Sequence, residues 1–382
     1  MATENAAKRL KTDAPSSSPI TIGTHNGHFH ADEALAVYLL RQLPAYAGAE
    51  LVRTRDPARL AACHTVVDVG GEYDAARHRY DHHQRGFDTK FPGRTATRLS
   101  SAGLVWLHFG RDIIAQHLQR LRGGEDSKPS EENKNSSSDA DVDVLHPKLY
   151  ETFVEALDAN DNGVSAYDHA ALAAAGIEKR FSTGAFTLGA LVGRLNPKWN
   201  DVLPSDPAAA QAAEDERFVA ASARIGEEFV RDLDYYARSW LPARAIVRAA
   251  YDARRRHDPR GRVLVLEGQA VPWKDHLYAL EEQDPEAAGK DDAEADKVLY
   301  VLYPEKPTPD AKWRVQAVPV VTDGFQSRKA LPEPWRGARD AQLDEVSGVS
   351  VPGAVFVHAS GFIGGHQTFE GAMEMATKAC AF

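Results

Sequence analysis

Cysteine is almost absent from this chain. Cys63 and Cys380 are the only two in 382 residues. Two thiols cannot build a disulfide framework or a thiolate zinc site, and their scarcity is typical of proteins from a reducing compartment. We therefore expect an intracellular protein.

Long apolar runs and a secretory leader are also lacking. No apolar run approaches the ~20 residues that a membrane-spanning helix needs, and the first residues lack the apolar core of a secretory signal. Apolar residues make up 43% of the chain and charged residues 26%, as in soluble globular proteins. We expect no membrane partner, and the length suits two domains of ordinary size.

An excess of positive charge is missing as well. The formal net charge of −10 excludes a uniformly basic nucleic-acid binder, although it allows a local basic groove. Residues 1–19 are polar and are predicted to be a disordered tail. Their basic cluster, Lys8 to Lys11, is either a nuclear import signal or part of a solvated tail, and both interpretations stay open.

What the chain does contain is three clusters of His and Asp. His25 to Glu33 hold three imidazoles and two carboxylates, Asp68 follows the apolar Val66-Val67, and the third cluster is Asp81-His82-His83. Imidazole and carboxylate together bind divalent metals that activate water. The alternatives are a helix-capping Asp32, a strand-end turn and an exposed polar loop. Capping does not explain the imidazoles, so we favour metal binding.

The pattern around these clusters predicts an α/β fold. Ile20–Gly23, Glu50–Thr54 and Thr65–Val69 are typical of strands, and Glu33–Leu43 has helical spacing. Strand, helix, strand, strand in this order indicates a parallel sheet. Side chains that follow such strands meet at the carboxyl edge of the sheet.

Helical patterns dominate the following residues. Helices are predicted over Ser100–Leu121, from Pro147 to about 158, over Phe186–Leu195 and from about Pro207 to Trp240. Residues 123–144 are rich in charge, Ser and Asn, and we expect a disordered surface insertion there. We assign residues 20–241 to one α/β domain.

The character of the sequence changes near Pro242. Short apolar or alternating runs, separated by turn residues, indicate a second, smaller α+β domain over residues 242–382. These runs are Ala245–Ala249, Val263–Leu266, Val298–Tyr303, Trp313–Val318 and Ala354–Val357, followed by a helix at Glu370–Lys378.

The order of the clusters is similar to that in a known group of enzymes. His25…His30-x-Asp32, then Asp68, then Asp81-His82-His83 resemble the motifs of the DHH phosphoesterase superfamily. Longer segments resemble the eukaryotic Myg (melanocyte proliferating gene) family, and the resemblance covers residues 20–382 apart from the acidic insertion. These segments are Gly23–Ala36, Val67–Tyr73, Arg79–Arg85, Leu99–Leu104 and His358–His366.

The resemblance implies a DHH-type parallel-sheet domain and a smaller second domain that closes over a cleft. The implied activity is a metal-dependent 3′–5′ exoribonuclease that acts on single-stranded RNA, in nucleus and mitochondrion, with water activated by two divalent ions. His30 stands where the wider superfamily has the first of two aspartates. Because imidazole is a poor ligand for Mg²⁺, we expect Mn²⁺ to be preferred over Mg²⁺.

The resemblance also implies roles for individual residues. His83 would face the scissile phosphate, and Asp81 would orient a neighbouring imidazole. For the last metal ligand, Asp158 and Asp161 are alternatives, and Asp158 is preferred. The remaining implied metal ligands are His25, His30, Asp32, Asp68 and His82.

A glycine-rich segment near the end precedes the last predicted helix. Backbone N–H groups at such a place suit an anion, although an ordinary strand-to-helix turn is the alternative. Arginines further upstream are candidates for phosphate contacts, with simple solvation as the alternative. The substrate-binding candidates are Ser360, Gly364, Gly365, His366, Arg328 and Arg336.

Two rival functions follow from the same residues. The first is a pyrophosphatase or a phosphodiesterase for short or cyclic nucleotides, which substrate length would separate from an exonuclease. The second is a non-catalytic RNA-binding protein with a structural metal site. The presence of every expected ligand type argues against the second. The sequence does not indicate an oligomeric state.

Overall fold

The chain folds into two compact units, the first ending at Asp234 and the second spanning Tyr235–Phe382. The computed structural model describes residues 20–123, 136–182, 184, 187–284, 297–322 and 324–382. The predicted tail at 1–19 lies outside the described residues. Among the described helices, none combines the length and apolar character needed to cross a bilayer.

The first unit is built on a five-stranded mixed sheet in the order β2-β1-β3-β5-β4. β1, β2, β3 and β5 are parallel neighbours, while β4 pairs with β5 antiparallel. The predicted all-parallel sheet is therefore wrong at this edge, because the short turn joining β4 to β5 cannot make a parallel crossover. The strands are β1 (Thr21–Thr24), β2 (Glu50–Arg53), β3 (Thr65–Val67), β4 (Tyr73–Asp74) and β5 (Arg79–Tyr80).

Eight α-helices of the first unit are described. The first is almost wholly buried, and it begins where the Glu33 carboxylate accepts a hydrogen bond of 2.8 Å from the His30 backbone N–H. The His30 side chain accepts in turn from the Glu33 backbone N–H, and this capping box fixes the start of the predicted helix. The helices are α1 (Ala31–Arg41), α2 (Pro57–Ala62), α3 (Ser101–Gly123), α4 (Ser136–Leu149), α5 (Glu155–Asp161), α6 (His169–Ala174), α7 (Leu188–Gly193) and α8 (Pro207–Tyr235).

Helix α4 corrects the prediction of a disordered insertion over residues 123–144. Gly123 is the last residue of α3, and α4 already covers 136–144. Val142, Leu145 and Leu149 recur at helical spacing and are buried, so a thin apolar stripe is enough to order this segment against the core. The rest of the insertion, 124–135, lies outside the described residues.

The second unit has its own five-stranded sheet, in the order β6-β7-β8-β10-β9. β6 and β7 are parallel and the other neighbours antiparallel. The strands are β6 (Val263–Val265), β7 (Tyr300–Pro304), β8 (Trp313–Ala317), β9 (Ala354–Val357) and β10 (Ile363–His366), with helices α9 (Leu241–Ala253), α10 (Lys274–Glu282), α11 (Asp340–Ser347) and α12 (Phe369–Ala381).

One apolar run of the second unit is helical. Ala245–Ala249, predicted to belong to the second α+β domain, lies inside α9. Its buried residues, Ala243, Val247 and Tyr251, are spaced four apart and so mark one helical face. Pro242 is accommodated because it occupies the first turn of α9.

Candidate metal centre

The three His/Asp clusters converge at one edge of the first sheet. His25 follows β1, Asp68 follows β3 and Asp81 follows β5. These three strands are parallel neighbours, so the residues after them meet at the same edge. All three side chains are buried.

Asp68 is the centre of the arrangement. One carboxylate oxygen, Oδ1, accepts a hydrogen bond from Ser101 Oγ at 3.1 Å and lies 3.4 Å from His82 Nε2 and 3.5 Å from His83 Nδ1. The other, Oδ2, lies 3.4 Å from His25 Nε2. The backbone of Asp68 is left-handed, with φ of 57°, which is uncommon and least costly for Asp, Asn and Gly.

A second group surrounds Asp32 in the first turn of α1. Asp32 is 1% exposed, and neither of its carboxylate oxygens has a hydrogen-bond partner among the described residues. Its oxygens belong to a cluster with His30 and Asp161 whose ligand atoms all lie within 4.8 Å of one another. Buried carboxylates without partners are costly unless a cation completes them.

Asp161, and not the preferred Asp158, lies in one group of possible metal ligands with His30 and Asp32. Asp158 is fully buried and accepts hydrogen bonds from Ser100 N–H, Ser100 Oγ, Gly103 N–H and Tyr150 Oη. It caps the first turn of α3, whose N–H groups have no partner within the helix. With its oxygens engaged in this way, Asp158 is a structural cap.

Asp81 orients His83. Its Oδ1 accepts a hydrogen bond from the His83 backbone N–H at 3.0 Å and lies 2.8 Å from His83 Nδ1. Its Oδ2 accepts from the Gly71 N–H. The His83 side chain is 60% exposed. With Nδ1 turned towards Asp81, Nε2 is the ring nitrogen that is left for substrate or solvent.

Glu33 was not among the predicted site residues, although it lies in the first cluster. It is fully buried, and its Oε1 lies 3.2 Å from His25 Nε2. With His25, His30 and Asp68 it forms a further group of possible metal ligands. The signal that could have identified it is its place one residue after Asp32, inside a helix whose other members are almost all apolar.

The electrostatics of the cluster favour a cation. Burial would lower the pKa of His25, but its contacts with Asp68 and Glu33 raise it to about 10. His82 behaves in the same way. Burial would lower its pKa, but its contacts with Asp161 and Asp68 raise the pKa to about 10. The surrounding carboxylates thus favour positive charge at these two imidazoles.

The pKa of Asp32, a carboxylate in the same cluster, also indicates that a cation is favoured here. Burial, followed by the charges of Asp68 and Asp161, raises the pKa of Asp32 well above its usual range. Several carboxylates crowded into one desolvated space repel one another, and divalent cations relieve that repulsion. The donor set of imidazoles and carboxylates therefore fits divalent metal ions.

The cluster forms the floor of an open pocket of about 850 Å³. Two arginines, Arg55 and Arg98, supply the positive side chains of its wall, and Gln84, Asn160 and Asn162 add neutral polar groups. Arg55 makes no ion pair among the described residues, so its guanidinium is available to a ligand. Gln84 directly follows His83, and Asn160 and Asn162 flank Asp161, whereas Arg55 and Arg98 lie outside the clusters in sequence and no local pattern marks them as site residues.

The glycine-rich segment of the second unit is not a loop. Gly364 and Gly365 lie in the strand β10, paired on both sides by β8 and β9. His366 is fully buried; its Nε2 lies 2.9 Å from Val351 O, and its Nδ1 accepts from Thr368 N–H. Sheet pairing engages the backbone of Gly364 and Gly365, so their N–H groups are not presented by a loop before the last helix. Substrate contact by these residues stays a prediction.

The other substrate-binding candidates also lie in the second unit. Arg328 forms a two-pronged ion pair with Glu281, at 2.8 and 2.7 Å. Arg336 is exposed and donates to Leu331 O. Ser360 is exposed, and its Oγ lies 2.9 Å from His358 Nδ1.

Comparison with known proteins places almost the whole chain in one family. The family model MYG1_exonuc, described as an uncharacterised protein family (UPF0160), matches residues 21–380. The human MYG1 exonuclease is 47% identical over 365 residues, covering 94% of this chain and 85% of the relative.

More distant relatives match over a similar length. The MYG1 protein C694.04c of Schizosaccharomyces pombe is 43% identical over 363 residues, covering 95% of this chain and 98% of the relative. The MYG1 protein of Dictyostelium discoideum is 39% identical over 361 residues, covering 94% and 96%. No solved structure matches the chain. The predicted Myg relationship is confirmed, and the chain belongs to the MYG1 exonuclease family.

Proposed function

We propose that this chain is a metal-dependent phosphodiesterase of the DHH superfamily that works as a 3′–5′ exoribonuclease on single-stranded RNA. The human and mouse relatives carry the name MYG1 exonuclease, which supports the nuclease class. The order of His25, His30 and Asp32, then Asp68, then Asp81-His82-His83 supports the superfamily. Placement in nucleus and mitochondrion is part of the same proposal.

The observation that carries the proposal is the state of Asp32. Both of its carboxylate oxygens are buried without a hydrogen-bond partner among the described residues, beside a second carboxylate, Asp161, and an imidazole, His30. A folded protein does not maintain such a group unless something binds it. A divalent cation is the ligand that suits these donors.

Two overlapping sets of residues would hold two ions. His30, Asp32 and Asp161 form one set, and the groups around Asp68 form the other. Because Asp68 faces His25 with one oxygen and His82 with the other, it would hold an ion together with these imidazoles. Bound divalent ions would supply Lewis acidity that polarises a phosphodiester and makes water nucleophilic at neutral pH.

His83 donates a proton at the solvent-exposed side of the centre. Its contact with Asp81, the largest cause, raises the pKa of His83 above the usual value. The Asp81 carboxylate therefore favours the protonated imidazole, in which Nε2–H is directed away from Asp81. That N–H can donate to a phosphate oxygen or to the departing nucleotide oxygen.

Arg55 and Arg98 bind the phosphate backbone. The other charged groups of the pocket wall are carboxylates and imidazoles, so an anionic substrate needs these two guanidinium groups for its non-bridging oxygens. A pocket of about 850 Å³ is within the range of small-molecule sites. It suits a chain end better than a folded duplex.

The proposal is tested with 5′-labelled single-stranded RNA and Mn²⁺ on a denaturing gel. The wild type should produce a ladder that shortens from the 3′ end, and the double variant His82→Ala/His83→Ala should not. Full-length RNA after incubation with metal-loaded wild type would overturn the ribonuclease assignment. Pyrophosphate and dinucleotides, tested in parallel, would then reveal the rival phosphoesterase activities.

A further inference from the structure

The segment between the ligands His25 and His30 is held by side chains that come from far along the chain. Asn196 is buried and binds the backbone of Phe29 twice: its Oδ1 accepts from Phe29 N–H at 3.0 Å, and its Nδ2 donates to Phe29 O at 2.8 Å. A side-chain amide that satisfies both polar groups of one residue fixes the position and orientation of that peptide.

Gly27 is held in the same way from another direction. Its N–H donates to Glu214 Oε1 at 2.6 Å, and its carbonyl accepts from Arg53 Nη2 at 2.9 Å. Arg53 Nη1 also donates to Glu214 Oε1 at 2.8 Å, so the two holding groups are joined to each other. Gly27 has a φ of +88°, a backbone conformation that glycine adopts without the steric cost that other residues meet.

Arg53 is itself firmly placed. Its side chain is fully buried, and its guanidinium lies over the rings of Phe29 and Phe218, at 5.6 and 4.6 Å from the ring centres. A second acidic group, Asp215, lies 3.2 Å from Nη1. A buried guanidinium with this many fixed partners cannot move without breaking several contacts.

These contacts bear on metal binding because of where the segment begins and ends. His25 precedes it and His30 ends it, and the two rings lie 6.1 Å apart. A ligand set works only when its members are held within a fraction of an ångström. Loss of the hydrogen bonds that hold metal ligands in position typically lowers the metal affinity by about tenfold to a hundredfold.

We propose that Asn196, Glu214 and Arg53 form a clamp that sets the metal affinity of this centre by fixing the peptide segment between His25 and His30. They are positioning residues: they act through Phe29 and Gly27, and within the described part of the chain their hydrogen bonds and ion pairs involve no candidate ligand side chain. The inference rests on the proposed metal-dependent function. It assigns to helix α8 and to the residues before it a role that no sequence motif revealed.

The test is calorimetric titration of metal-stripped protein with Mn²⁺, which needs no turnover. Asn196→Ala and Glu214→Ala should each raise the Mn²⁺ dissociation constant by about tenfold to a hundredfold. Glu214→Gln keeps an oxygen that can accept from Gly27 N–H, so it should recover most of the lost affinity. Wild-type affinity in both alanine variants, with folding verified by circular dichroism, would overturn the clamp.

Ser222→Ala is the matched control. Ser222 is also buried on α8, and its Oγ donates to the Ala34 carbonyl at 2.7 Å, so this variant loses a comparable tertiary hydrogen bond away from the clamped segment. We expect a similar loss of thermal stability and nearly unchanged Mn²⁺ affinity. An equal loss of affinity in Ser222→Ala and Asn196→Ala would reduce the effect to general destabilisation and overturn the clamp.

The same titration separates the two proposals. Wild-type protein that binds no Mn²⁺ would refute the metal-dependent function and the clamp with it. Wild type that binds tightly, with clamp variants that bind equally well, would refute the clamp alone.

Discussion

His82 Nε2 lies 2.9 Å from Asp161 Oδ2. The cluster Asp81-His82-His83 at the sheet edge therefore contacts the last residue of α5. The contact places Asp161 beside Asp68, since the same imidazole nitrogen lies 3.4 Å from Asp68 Oδ1. The helix thus closes a centre that the sheet alone would leave open.

Asp161→Asn should weaken metal binding with little change in folding. The amide keeps the shape of the side chain but loses the charge that a cation needs, and Asp161 is only partly buried. We expect the Mn²⁺ dissociation constant to rise at least tenfold, measured by calorimetry. Asp158→Asn should keep the wild-type affinity. The reverse pattern would show that Asp158 is the ligand.

Asp158 should make stability fall as pH rises. Burial raises its pKa to about 7, although hydrogen bonds from Ser100, Tyr150 and Gly103 oppose the shift. A carboxyl whose folded-state pKa is raised stabilises the fold below its unfolded pKa of about 4, and this contribution is lost as pH rises through about 7. Urea unfolding of metal-free protein should therefore show the stability of wild type falling, relative to Asp158→Asn, between about pH 4 and 7. A constant difference would contradict this.

Gly103→Ala should destabilise the first unit. A Cβ at this position would lie 2.5 Å from Asp158 Oδ1, so the buried cap of α3 must move. We expect a loss of about 1–3 kcal/mol in the free energy of unfolding, as for other overpacked sites. Gly123→Ala, at the end of the same helix and with no described neighbour within 4 Å of its Cβ position, is the control and should be neutral or slightly stabilising.

Mn²⁺ should support activity better than Mg²⁺. The candidate ligand sets contain His25, His30, His82 and His83, and imidazole is a better ligand for transition ions than for Mg²⁺. Metal-stripped protein should regain a higher rate of RNA hydrolysis with Mn²⁺ than with an equal concentration of Mg²⁺. Full activity with Mg²⁺ alone would contradict the role given to the imidazoles.

The sequence was informative where local chemistry decides the structure. β-branched strands that run straight into His25 and Asp68 predicted both the sheet and the edge where the clusters meet. The start of α1 was nearly correct because Glu33 caps it locally. In the second unit, the predicted strand Ala354–Val357 is confirmed, and the predicted helix Glu370–Lys378 lies within α12.

The errors arose where tertiary contacts decide. Asp158 and Asp161 lie on the same short helix, and only packing against the start of α3 shows which of them faces inward. Gly364 and Gly365 form a central strand because neighbouring strands pair with them on both sides. No local pattern could reveal that Asn196 holds Phe29, since the two lie far apart in sequence.

The most direct test of the metal centre is anomalous diffraction from crystals of the full chain grown with Mn²⁺, collected near the manganese edge. We expect two peaks at the carboxyl edge of the first sheet, one among His30, Asp32 and Asp161 and one against His82, with Asp68 between them. The account would be contradicted if no anomalous peak appeared at this edge, whether Mn²⁺ bound elsewhere on the protein or did not bind at all.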